Sequence, residues 1–144
     1  MSRSVSVPSV PEPVLSAEER AAFARGLAQF NDRLFFECHD TLEEIWSGVR
    51  GAPREFVQGL IQAAVGFYHL GNGNRGGATT MLTRGLSRLS RYPDRYYGLE
   101  LDGLRREVAE WQARIAEGGE LPGDLLSLPK CRRDPGTAVS SPER

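Results

Sequence analysis

Apolar side chains recur at intervals of three and four residues along most of the chain between residues 15 and 128. This spacing predicts amphipathic helices, and the strict alternation that would predict strands does not persist anywhere in the range. Ser16 followed by Glu19 is typical of a capping box, which satisfies the free N–H groups at a helix start. A first helix is therefore predicted from residue 16 to about residue 30.

Four further helices are predicted from the residues that break the pattern. Asp32 is a candidate cap for a second helix over about 33–47, and Pro53 suits the first turn of a third helix that ends near residue 70. A fourth helix covers about 76–91, and the fifth ends at Gly118. The predicted fold class is all-α, a single-domain bundle of about five helices.

Both ends of the chain are rich in proline and serine and lack helical spacing. We therefore expect a disordered N-terminal tail over 1–14, a helical bundle domain over 15–128 and a disordered C-terminal tail over 129–144.

Length and composition narrow the function without identifying it. A chain of 144 residues suits one domain, and 18 basic against 19 acidic side chains give a net charge of −1, which argues against binding to nucleic acid or to an anionic membrane. No stretch reaches the length of a membrane span. Cys38 and Cys131 form no C-x-x-C pair, so a reducing, cytoplasmic location is expected. The oligomeric state stays open.

The polar residues of the second predicted helix point in different directions relative to its apolar side. At about 100° per residue, Cys38 joins the apolar side, His39 and Glu43 fall on its shoulder, and Glu37 points outward. His39 and Glu43 are one turn apart and can therefore hydrogen-bond. They form either a salt bridge at the edge of the core or part of a site.

The third predicted helix carries no Lys, Arg, Asp or Glu from Phe56 to Asn74, which indicates a central position. Its polar residues Gln58, Gln62 and His69 fall within an arc of about 40°. This stripe is either a thin exposed slit or a polar seam shared with the second helix, and a buried seam would require hydrogen-bond partners.

Two imidazoles and a carboxylate, His39, His69 and Glu43, are candidate ligands for a divalent metal. The pattern is weak, because neither histidine has the Glu three residues before it that di-iron bundles use. Acid/base chemistry by His39 with Glu43 and Glu37 is the second hypothesis. Cys38 diverges from His39 by about 100° and is interpreted as a core residue, not a nucleophile.

The segments "FNDRLFFECHDTLEEIW" and "FVQGLIQAAVGFYHLGNGNRGGA" together resemble the family known as domain of unknown function 309. The resemblance implies a small all-α domain and brings no established activity with it. It also implies a role for the motif positions present here, which are Glu37, His39, Glu43, Trp46, Gln58, Gln62 and His69.

The sequence therefore predicts a module that binds a small ligand or a partner protein at a polar seam between the second and third helices. The alternative is a metal-dependent or acid/base hydrolase that uses His39 and Glu43. A cavity lined by both imidazoles would favour a catalytic function. Partner binding would require an exposed apolar groove, which we expect beside the fourth helix.

Overall fold

The predicted all-α bundle is confirmed by a computed structural model, which describes residues 10–120 and 128–133. The helices are α1 (Ala17–Asn31), α2 (Phe35–Trp46), α3 (Pro53–Gly71), α4 (Arg75–Leu89) and α5 (Leu101–Glu117). Residues 1–9 and 134–144, for which tails are predicted, lie outside the described residues. Within the described residues, no helix is both long and apolar enough to cross a membrane.

A small antiparallel hairpin precedes α5. Its strands are β1 (Arg95–Tyr96) and β2 (Leu99–Glu100). Tyr97 and Gly98 between them have positive φ angles of 49° and 78°, as the tightest hairpin turns require. The sequence pattern does not predict this hairpin, because two residues are too few to show an alternating period.

The start of α2 lies two residues later than the prediction. The capping box of Ser16 and Glu19 is confirmed, with both of its hydrogen bonds present. The predicted cap at Asp32 is wrong, because Asp32 ends α1 and α2 begins only after Leu34. Arg33 between them has a φ of 69°, which turns the chain too sharply for a helix to start there.

Helix α3 is central, as its lack of charged residues predicts. It packs against α2 on one side and α4 on another, while α1 packs on α2. Three glycines, Gly59, Gly66 and Gly85, allow α3 and α4 to approach closely. A Cβ atom at Gly66 would lie 2.6 Å from Leu82 Cδ2, and one at Gly85 would lie 3.0 Å from the backbone nitrogen of Ala63.

The packed chain extends past the predicted domain 15–128 at both ends. Near the N-terminus, the Tyr97 N–H donates to Glu12 Oε2 at 2.8 Å. Near the C-terminus, the Asn31 side chain donates to Cys131 O at 3.1 Å and accepts from Cys131 N–H at 2.7 Å. Arg33 donates to the carbonyls of Leu128 and Pro129. Residues 128–133 are thus held against the α1–α2 corner.

Cys38 is a core residue, as predicted, and we expect both thiols to be inert in the folded protein. Burial raises the pKa of Cys38 to about 12 and also raises the pKa of Cys131. Because the thiolate is the reactive form, little of it exists at pH 8. Labelling with an aromatic disulfide reagent at pH 8 should be slow in native protein and fast after denaturation.

A Ser87→Cys variant supplies the control, because Ser87 is exposed on α4. One thiol of this variant should react at once in the folded state. Immediate reaction of the native wild type would contradict the burial of its cysteines.

Candidate functional site

Helix α2 brings His39 and Glu43 together, one turn apart. His39 Nε2 lies 3.6 Å from Glu43 Oε2, and the side chains are 22% and 53% exposed. This separation exceeds hydrogen-bond length. The two groups are neighbours at the edge of the core, close enough for one polar atom lying beside them to contact both.

The hydrogen bonds of His39 assign its neutral tautomer. Nδ1 lies 3.1 Å from the carbonyl oxygen of Phe36, and a carbonyl can only accept. Nδ1 therefore carries the proton, and Nε2 presents a lone pair on the side of Glu43. A backbone carbonyl often holds one nitrogen of an imidazole in this way when the other nitrogen binds a ligand or transfers a proton.

His69, at the end of α3, is assigned the opposite tautomer. Asn74 caps α4 by accepting the Gly77 N–H with Oδ1 at 2.9 Å, so its Nδ2 must be the atom that lies 3.4 Å from His69 Nδ1. An amide nitrogen donates, so Nδ1 of His69 accepts and Nε2 carries the proton. In these tautomers, Nε2 of His39 is a hydrogen-bond acceptor and Nε2 of His69 is a hydrogen-bond donor.

Both imidazoles line one cavity between α2 and α3, of about 230 Å³. We call it the imidazole cleft, and its lining residues are Phe35, Phe36, His39, Val65, Tyr68 and His69. Phe36 and Tyr68 are 49% and 40% exposed, so two aromatic rings are open to solvent here. The cleft combines apolar walls with two polar groups.

Glu37 is exposed and lies at a neighbouring cavity of about 390 Å³. That cavity shares Phe35, Phe36 and Tyr68 with the imidazole cleft. The outward direction predicted for Glu37 is therefore found, although α2 begins two residues later than expected.

Gln62, the buried member of the polar stripe of α3, faces α4 and not α2. Gln62 is buried, and its Oε1 lies 3.5 Å from Arg88 Nη1 of α4, while Gln58 is half-buried. Gly59, Gln62, Gly66 and His69 share one side of α3, and the two glycines are the residues that let α4 approach. The spacing of residues along a helix shows which of them share a side, but it does not show which neighbouring helix covers that side.

Trp46 also lies outside the cleft. The guanidinium of Arg54 stacks over its ring at 3.8 Å, and the same side chain donates to the carbonyls of Trp46 and Val49. Trp46 therefore stabilises the connection between α2 and α3.

The candidate metal ligands are only partly brought together. Within the described residues, one group offers converging metal-ligating atoms, and it consists of His39, Asp40 and Glu43. His69 is not in it. Asp40 lies 3.7 Å from Nδ1 of His39, the nitrogen already committed to Phe36. Only Glu43 shares the Nε2 side, whereas catalytic zinc sites use three protein ligands.

Phe36, Val65 and Tyr68 are the cleft residues that the sequence does not single out. What marks these residues in the sequence is a large apolar side chain that does not lie on the buried side of its helix. Polar motifs do not reveal such residues. Among the described residues, the large exposed hydrophobic side chains are Val14, Leu34, Phe36 and Tyr68. None of these four belongs to α4, whose Met81 and Leu86 are half-buried, and Leu34, Phe36 and Tyr68 lie at or beside α2 and α3.

Comparison with known proteins covers this same region. Residues 23–81 match the family model described as "Domain of unknown function (DUF309)". An uncharacterized protein of Aquifex aeolicus (strain VF5) is 26% identical over 77 residues, which are 53% of this chain and 23% of that protein. The chain thus spans less than a quarter of that relative. The matched segment contains α2, α3 and every residue of the imidazole cleft, so the cleft lies in the part of the chain that resembles the DUF309 family.

Proposed function

We propose that this domain binds a small molecule in the imidazole cleft. The observation that carries the proposal is that His39 and His69, from two different helices, line one cavity whose other walls are apolar. Small-molecule sites typically combine apolar walls with a few polar groups that fix orientation. The volume lies below the ~300 Å³ at which drug-sized sites begin, so the ligand is small.

The exposed aromatic rings support the same proposal. Large apolar side chains at a surface lose contact with water when a ligand covers them, and contiguous groups of them often mark binding sites. Phe36 and Tyr68 have ring centroids 5.4 Å apart, and both line the cleft. We place this binding in the cytoplasm, because both thiols of the chain are free.

Acid/base catalysis is the second candidate, and the opposite tautomers favour it. His39 Nε2 can accept a proton from a substrate while His69 Nε2–H donates to another of its atoms, which is the division of roles in general acid–base chemistry. Glu43 would stabilise the imidazolium that forms on His39. A metal-dependent hydrolase has less support, since His69 is not among the converging ligand atoms.

A fragment screen by ligand-observed NMR on the full chain tests the proposal. We expect small planar fragments to bind the wild type and Phe36→Ala to weaken their binding roughly tenfold, since the ring supplies one wall. Val14→Ala is the matched control, because Val14 is 96% exposed and does not line the cleft. Equal binding to the wild type and to Phe36→Ala would reject the cleft as the site.

A further inference from the structure

The surface around the imidazole cleft carries acidic groups without basic neighbours on the same helices. The acidic side chains of α2 are all exposed, and they are Glu37, Asp40, Glu43 and Glu44. Helix α2 contains no Lys or Arg, and α3 contains none after Arg54. These carboxylates make the local potential more negative on this side of the cleft, and Arg33, just before α2, lines the neighbouring cavity and not the cleft itself.

The rings of the cleft form a continuous aromatic wall. Phe36 lies 5.2 Å from His39 and 5.4 Å from Tyr68 between ring centroids, and Tyr68 lies 6.0 Å from His69. Aromatic faces attract cations within about 6 Å, and sets of such rings recognise ammonium groups. Arg and Lys are absent from the lining, so no side-chain cation of the protein lines this wall.

Two hydrogen-bond acceptors face each other at the edge of this wall. In the assigned tautomer, His39 Nε2 has a lone pair, and Glu43 Oε2 lies 3.6 Å from it. Neither can donate to the other. An ammonium nitrogen about 2.8 Å from both atoms would give each one N–H, and the bond to the carboxylate would be charge-assisted.

We infer that the ligand of the imidazole cleft is a small organic cation, a primary or secondary ammonium with a short apolar body. The ammonium group lies between His39 and Glu43, and the apolar body lies against Phe36 and Tyr68. This inference rests on the proposed function, since it names the ligand class of the same cleft.

Three probes of similar shape and different charge test the inference: benzylammonium, benzyl alcohol and benzoate. Each is titrated into the isotope-labelled chain of 144 residues with a chelator present, and the signals of His39, Val65 and His69 are followed. We expect benzylammonium to bind roughly tenfold more tightly than benzyl alcohol, and benzoate to bind most weakly. The preference for the cation should decrease as salt is added.

Glu43→Gln should remove most of the preference for benzylammonium, because it weakens binding of the cation much more than binding of the neutral benzyl alcohol. Glu44→Gln is the matched control, because it removes the same charge one residue away, where Glu44 is not within ion-pair distance of His39. Equal effects of the two substitutions would mean that only the general potential acts, and would overturn the assigned position of the ammonium group.

The remaining outcomes separate this inference from the proposed function. If benzyl alcohol or benzoate binds as tightly as benzylammonium, the ligand class is wrong while the cleft remains a binding site. If none of the three binds and the fragment screen also finds nothing, both fail. If zinc added without chelator shifts the His39 signals and benzylammonium does not, the pair is a metal site and the inference is overturned.

Discussion

Replacing Gly85 with valine is expected to lower the free energy of unfolding by about 3 kcal/mol or more, because overpacking against backbone cannot be relieved by a change of rotamer. A Cβ atom at this position would lie 3.0 Å from Ala63 N and 3.0 Å from Gly59 O, both in the backbone of α3. Valine adds two methyl groups beyond that atom. The helices α3 and α4 would have to separate, which would disturb the central contact of the bundle.

Chemical denaturation followed by circular dichroism measures the effect, and the melting temperature should fall by roughly 10 °C. Gly76→Val is the matched control on the same helix. A Cβ there has only Asn74 Oδ1 within 4 Å, at 3.9 Å, so we expect a change below about 0.5 kcal/mol. Equal stabilities of the two variants would show that α3 and α4 are not packed as closely as described.

Gly85 also shows how far the sequence predicts the fold. Its place on the apolar side of the fourth helix follows from the spacing of Ala78, Leu82 and Leu89, and the helices themselves follow from the same periodicity. The close approach to α3 does not follow, because the spacing says nothing about which helix covers that side. The same limit applies to Gln62, because the predicted seam with α2 rests on the side of α3 alone, whereas Gln62 contacts Arg88 on α4.

In the candidate site, too, contacts within one helix can be predicted from the sequence, whereas contacts between helices cannot. His39 and Glu43 are predicted neighbours, because residues four apart on one helix are always close. The shared cavity of His39 and His69 depends on how two helices cross, which is a tertiary property. Phe36 and Tyr68 are apolar, and a search for chemically reactive side chains passes over them even though they form the exposed part of the cleft.

Replacing Phe67 with alanine is expected to lower the free energy of unfolding by about 3 to 5 kcal/mol, the range for removal of a buried phenylalanine. Phe67 is fully buried in α3. Its ring centroid lies 6.2 Å from that of Phe30 and 5.7 Å from that of Phe35, so it joins α3 to both α1 and α2. Removing it leaves a cavity between α1, α2 and α3, and denaturant titration measures the loss.

Phe36→Ala provides the contrast, because Phe36 belongs to the same cleft and is half-exposed. Removing a side chain that is only half-buried should lower the free energy of unfolding by about 1 kcal/mol, roughly half of the transfer free energy for burying a phenylalanine side chain completely. A large loss at Phe36 would make it a core residue, and the proposed binding role would lose its exposed wall. A small loss, together with weaker fragment binding, would mean that Phe36 serves the cleft while Phe67 stabilises the packing of α3 on α1 and α2.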